Sequence, residues 1–314
     1  MSTLLVSHPS FLEHDTGEGH PERPDRLRAI HKALSHAFFD GLARVDAPLR
    51  DDVEDAILFA HDREYLAALK EVRPAPGQAS VRLDPDTVMS PGTWEAALRA
   101  VGAGMMAVDA VMAGQHSNAF CAVRPCGHHA ERASAMGFCL FDNVAIAALY
   151  ARQKFGAERI AVVDFDVHHG NGTQDIFWSD KDLFLASTHQ MPLFPGTGAL
   201  SETGVGNICN APLRPGDGGS LFREAMESRV LPALMNFSPD IILVSAGFDA
   251  HEDDPLANLR LKEEDFEWIT AKLVDVAHKQ CHGRLVSMLE GGYDLRALAR
   301  SVALHVKVLM DGAA

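Results

Sequence analysis

The sequence predicts a doubly wound α/β fold. Two observations carry this: short β-branched runs alternate with amphipathic helical periods, and several of the runs are apolar along their whole length. A strand apolar on both faces belongs in a parallel sheet covered by helices on either side. The candidate strands are TLLVS (3–7), AFCAV (119–123), RIAVVDF (159–165), LFLAST (183–188), DIILVSAG (240–247) and RLVSML (284–289). Helical periods run through ERPDRLRAIHKALSHAFF, TWEAALRAVGAGMMAVDAVM, NVAIAALYARQKF, SLFREAMESRVLPALMNF and EEDFEWITAKLVDVAHKQ. No repeat, low-complexity tract or long Pro/Gly/Ser linker divides the 314 residues, so one domain over 1–314 is expected. Irregular stretches at 72–91, 124–142, 189–218 and 247–261 follow or flank the strands, where such sheets build their sites.

Composition narrows the function. The N-terminal MSTLLVSHPS has no basic lead, and the most apolar later run is interrupted by Asp109, so neither a signal peptide nor a membrane span is expected and the reading is cytoplasmic. Five cysteines without a CxxC pair read as reduced thiols rather than a disulfide framework or a zinc knuckle. A formal charge of −15 argues against binding a nucleic-acid backbone. Sixteen histidines point the other way, toward metal or acid–base chemistry, because imidazole is the commonest transition-metal ligand and general base.

Polar residues gather at the strand ends. In VVDFDVHHGNGTQ (162–174) alternate residues of an extended segment share a side, which brings Asp164, Asp166 and His168 together. One aspartate at a strand end is ordinarily a cap or a loop hydrogen bond. Buried carboxylates without partners cost several kcal/mol each, roughly, so this denser group calls for pairing or a cation. RPCGHHAERASAMGFCLFDN (124–143) places tandem histidines in a Gly/Pro loop, where neighbouring side chains diverge and both cannot pack in a core. SAGFDAHEDDPLANL (245–259) sets Asp249 past another strand, and LEGGYDL (289–295) exposes Tyr293 after glycines. Four strand ends thus deliver polar residues to one rim of a parallel sheet, the rim where open α/β sheets hold ligands.

These motifs, with LFPGTG and the early HDTGEGHPERPDRLRAI (14–30), resemble the zinc-dependent histone deacetylase superfamily over essentially the whole chain, and HHGNGTQ with GFDAHxxDPL resembles its class II branch. The resemblance implies the arginase/deacetylase fold, a mainly eight-stranded parallel sheet in one α/β domain, and hydrolysis of an acetyl amide.

Carried over position by position, the resemblance makes Asp166, His168 and Asp249 the ligands of one zinc ion, with coordination left open for water and a substrate carbonyl. His129 becomes the general base and then the acid that protonates the leaving amine. His128 is its electrostatic partner, held by Asp164, and Asn171 orients His129. An asparagine at Asn171, where class I relatives carry an aspartate, leaves His129 less biased toward its cationic form. Tyr293 donates to the oxyanion. Phe138 and Phe194 wall a channel for an aliphatic linker, the Gly137 carbonyl accepts from the substrate amide, and Asp86 in LDPDTVMSP resembles a rim aspartate that holds a peptide backbone. A structural potassium ion is implied too, held largely by main-chain carbonyls around Asp164, Asp166, His168, Ser187 and Thr188.

Cys126 departs from the family, standing where a second proline is usual. Leu256 bears on the substrate. Seven residues past the third ligand, the polyamine-specific branch carries a glutamate that attracts a secondary ammonium, and here the position is apolar. The expected substrate is therefore an acetylated lysine peptide or protein, with a small acetylated amine, as in the acetylpolyamine amidohydrolases, as the alternative. An arginase-like dinuclear hydrolase would need further bridging carboxylates, but Gly170 and His251 stand at the relevant positions. A non-catalytic acetyl-binding module would not need the intact His128, His129 and Tyr293. A homo-oligomer is left open.

Overall fold

The computed structural model describes residues 2–313. Ten strands form: β1 (Thr3–Ser7), β2 (Ala43–Asp46), β3 (Val81–Arg82), β4 (Val88–Met89), β5 (Asn118–Cys121), β6 (Ile160–Asp164), β7 (Leu183–Gln190), β8 (Ile208–Leu213), β9 (Ile241–Ala246) and β10 (Leu285–Leu289). Eight make one sheet in the order β2-β1-β5-β10-β9-β6-β7-β8, and every pairing in it is parallel. β3 and β4 pair separately as a small antiparallel hairpin. The six apolar runs are six of the eight sheet strands, and all of β5, β6, β9 and β10 is buried, as a sheet covered on both faces requires.

The helices are α1 (Asp25–Leu34), α2 (Val53–Ala60), α3 (Arg63–Val72), α4 (Thr93–Met112), α5 (Asn143–Phe155), α6 (Asn171–Phe177), α7 (Gly219–Ala225), α8 (Leu231–Phe237), α9 (Glu263–Cys281) and α10 (Leu295–Gly312). α4 packs on α5 and α2, and α10 on α1 and α9, giving a helical layer on each side of the sheet. Asp142 caps α5 by accepting from Ala145 N, and Gly156 ends it in the left-handed conformation. Among the described residues no helix is long and apolar enough to cross a membrane.

Three expectations need correction. The stretch 189–218 is not wholly irregular, since it holds the end of β7 and all of β8; likewise 72–91 holds the β3–β4 hairpin. The strands that lacked an apolar run, β2 and β8, are the sheet's two edges. β2 is mostly exposed and β8 carries Asn210 and Pro212, residues an edge tolerates. The period through SLFREAMESRVLPALMNF is continuous helix interrupted by a π turn over Met226–Val230, just before Pro232.

Candidate active site

The four strands at the centre of the sheet, β5, β10, β9 and β6, are spatial neighbours although they lie far apart in sequence. Their C-terminal ends release the loops with the tandem histidines, Tyr293, Asp249 and Asp166–His168 respectively. The chain order reverses here, so a crevice opens at this rim. It forms a pocket of about 240 Å³ lined by Asp86, His129, Gly137, Phe138, His168, Leu193, Phe194, Leu256 and Tyr293. All five substrate-contact positions expected from the sequence line it.

At its floor one ligand atom each from Asp166, His168 and Asp249 lies within 4.8 Å of the others. His168 Nδ1 is 3.2 Å from Asp166 Oδ1 and 3.1 Å from Asp249 Oδ2. Burial opposes charge on His168, but the two carboxylates outweigh it and push its pKa up to about 10. Two carboxylates and an imidazole converging in a buried place form a donor set for a divalent cation. Gly291 preserves the space, because a Cβ there would overlap the carboxylates of both Asp249 and Asp166. Asp164 does not join this group, contrary to simple alternation. β6 ends at Asp164 and the chain bends after it, so Asp164 Oδ2 instead meets His128 Nδ1 at 2.9 Å.

The tandem histidines take different partners. His129 Nδ1 lies 2.8 Å from Asn171 Oδ1. Burial works against charge on His128, yet Asp164, Asp166 and Glu290 outweigh it and hold its pKa well above the ordinary value. Burial pushes His129 well below its ordinary value, and the neighbouring His128 and His168 push the same way. The surroundings thus favour the charged form at His128 and the neutral form at His129.

Gly137 and Phe138 both adopt left-handed backbone, φ 56° and 69°. A Cβ at Gly137 would run into the His129 ring, which makes glycine necessary on both counts. The strained Phe138 is held by its N–H donating to Thr87 Oγ1 at 3.0 Å, and its ring meets Tyr293 edge-on at 5.9 Å. Phe194 meets His129 edge-on at 5.2 Å from the opposite side. The Gly137 carbonyl already accepts the Cys139 thiol at 3.3 Å. Burial and the nearby Cys126, Asp249 and Asp166 raise the Tyr293 phenol well above its ordinary value, so it keeps its proton.

Ser187 and Thr188 lie buried in β7, where Ser187 Oγ meets His189 Nδ1 at 2.8 Å. Thr188 Oγ1 has no hydrogen-bond partner among the described residues. The departure at Cys126 is accommodated by packing: its sulfur sits 3.4 Å from that of Cys139, both buried and both free thiols.

A histone deacetylase domain model matches residues 20–309. The chain belongs to the histone deacetylase family. It is 40% identical over 296 residues to the histone deacetylase-like amidohydrolase of Pseudomonas aeruginosa, covering 92% of this chain and 77% of that one. It is 36% identical over 318 residues to a probable deacetylase of Archaeoglobus fulgidus, covering 99% and 87%. Among solved structures, the crystal structure of the HDA15 HD domain superposes with a TM-score of 0.91 at 35% identity, covering 99% of this chain and 88% of that one. The eight-stranded parallel sheet flanked by helices is accordingly the arginase/deacetylase fold.

This histone deacetylase relative also supports its pocket with buried ionisable side chains outside the expected site positions. Glu290 Oε2 accepts from Gly127 N at 2.7 Å and His128 N at 3.2 Å, tying the histidine loop to the tyrosine loop. Asp254 accepts from Leu256 N at 3.0 Å and Tyr293 N at 2.7 Å. Arg26, fully buried, donates to the Glu290 and Gly292 carbonyls, pairs with Glu22 at 3.1 Å and lies 5.0 Å from the centroid of the Tyr293 ring. Each of these side chains serves main-chain atoms. No side-chain spacing in the sequence encodes such a role, and only the HPERPDR, EGGY and DDPL contexts marked the segments.

Proposed function

We propose that the chain, as one domain over 1–314, is a metal-dependent deacetylase that hydrolyses the side-chain amide of acyl-lysine in peptides or proteins. The observation that carries this is the pairing of His128 with Asp164 and of His129 with Asn171 directly beside the Asp166, His168 and Asp249 group, at the foot of a narrow pocket. Those three residues would hold a single divalent ion, zinc by the family resemblance. When bound, such an ion polarises a carbonyl and makes water more acidic.

The chain's own residues do the rest. Phe138 and Phe194 grip the aliphatic arm of the substrate and exclude water from it. Neutral His129 takes a proton from the attacking water at Nε2, the nitrogen left free by Asn171, and hands it to the leaving amine. His128, charged and held by Asp164, places a positive field beside the developing negative charge. The Tyr293 hydroxyl donates to that oxyanion. Asp86, which also lines the pocket, would hold the backbone of a peptide substrate. A structural potassium ion, held largely by main-chain carbonyls around Asp164, Asp166, His168, Ser187 and Thr188, is part of this reading by the family resemblance alone.

An acetylpolyamine is the second substrate class, and Leu256 at the pocket wall speaks against it. An ammonium passing an apolar wall loses hydration without a compensating charge. A dinuclear site finds no support, since His251 turns to Glu263 at 3.5 Å. Assaying acetate release from acetyl-lysine peptides and from acetylpolyamines tests the reading. The peptides should give the higher kcat/KM, and the opposite ranking would transfer the assignment to the polyamine class.

A further inference from the structure

Asn171 is itself oriented. Its Nδ2 donates to Glu131 Oε1 at 2.8 Å and lies 3.4 Å from the His129 main-chain oxygen and 3.3 Å from the Met136 sulfur. All three are acceptors. Turning the amide over would set Oδ1 against a carboxylate, a carbonyl and a thioether, which it cannot satisfy. The observed orientation therefore leaves Oδ1 facing His129 Nδ1, and only a protonated Nδ1 can donate to it. A neutral His129 in this arrangement carries its proton on Nδ1 and presents the Nε2 lone pair, the form a base requires.

Glu131 is fixed well enough to impose this. Its main-chain N–H donates to Ser134 O at 3.0 Å and its carbonyl accepts from His61 Nδ1 at 2.9 Å. The next residue, Arg132, donates its N–H to Asp175 Oδ2 at 3.1 Å and a guanidinium N–H to Ile176 O at 2.6 Å, pinning the loop to α6, the helix that begins with Asn171. Asn171 is the donor that the Glu131 side chain meets among the described residues.

We propose that Glu131 is a positioning residue that acts through Asn171, locking the amide so that His129 is held as the Nδ1–H tautomer. An aspartate at position 171 would be symmetric and would need no such lock; an amide has a wrong way round, and Glu131 forbids it. The proposal rests on the reading of His129 as the general base.

The test compares Glu131→Ala and Glu131→Gln with the wild-type holoenzyme by steady-state kinetics on an acetyl-lysine peptide, hydroxamate binding, and ¹⁵N chemical shifts of the histidine rings, with His129 assigned by its disappearance in His129→Ala. Glu131→Ala should lower kcat about tenfold or more, while KM and hydroxamate affinity stay within about twofold. The His129 shifts should move from the Nδ1–H toward the Nε2–H pattern. Glu131→Gln keeps an acceptor for Asn171 and should restore most of both readouts. An unchanged His129 tautomer in Glu131→Ala overturns the proposal. So does a joint loss of kcat and hydroxamate affinity that Gln fails to rescue, which would make Glu131 a structural residue of its loop. If the wild type hydrolyses no acyl amide at all, the functional reading fails, and the tautomer comparison still decides the role of Glu131.

Discussion

The rings of His128 and His129 lie with centroids 4.0 Å apart, yet one points its Nδ1 at a carboxylate and the other at an amide. The carboxylate favours charge on His128, and the amide leaves His129 free to stay neutral. His129→Ala should lower kcat by ~10²–10⁴, the usual worth of a general base, and leave metal content and hydroxamate binding intact. A wild-type kcat in this variant at saturating acetyl-lysine peptide would show that the base lies elsewhere.

Tyr293 has its ring under the Arg26 guanidinium and its main-chain N–H on Asp254, so the phenol is placed without help from substrate. Tyr293→Phe removes one donor and keeps the ring. The expected loss is ~10²–10³ in kcat with little change in hydroxamate affinity, measured by titration. A loss confined to KM would assign Tyr293 to substrate binding instead.

Leu256 lines the pocket and its main-chain N–H is held by Asp254, so a longer side chain there would still project at the entrance. Leu256→Glu should raise the ratio of kcat/KM for an acetylpolyamine over that for an acetyl-lysine peptide. An unchanged ratio would remove this position from the account of specificity.

Two histidines outside the pocket set an acid limit on stability. His305, hydrogen-bonded to Thr270 and Ser287, is depressed by burial to about 3, and burial likewise brings His61 down to about 4. Both are neutral when folded and take up a proton when unfolded, so the stability they contribute is present above the unfolded value of 6.5 and is lost as pH falls from there toward the folded values. Near pH 5 each should cost about 2 kcal/mol relative to neutral pH. Urea unfolding at the two pH values reads this directly, and a flat profile between them would contradict it.

Most of the fold was legible because central parallel strands are apolar on both faces and print as unbroken runs. The edges β2 and β8 were not, because β2 is mostly exposed and β8 carries Asn210 and Pro212, so neither prints an unbroken apolar pattern. Asp166, His168 and Asp249 could be named from motifs, but their convergence depends on β6 and β9 being neighbours, which only the topology supplies. Alternation misplaced Asp164 because the strand stops there. Arg26, Glu290 and Asp254 stayed hidden because their partners are backbone atoms, and Glu131 because its partner is an amide forty positions away.

Hydrolysis is expected to depend on a cation held by Asp166, His168 and Asp249. Acetate release from an acetyl-lysine peptide, followed alongside metal content through stripping with a chelator and stepwise reloading with zinc, tests it most directly. Activity should vanish on stripping and return in proportion to loading, reaching its maximum at about one ion per chain. Full activity in the metal-free protein would contradict the account, and a maximum reached only at two ions per chain would replace it with a dinuclear one.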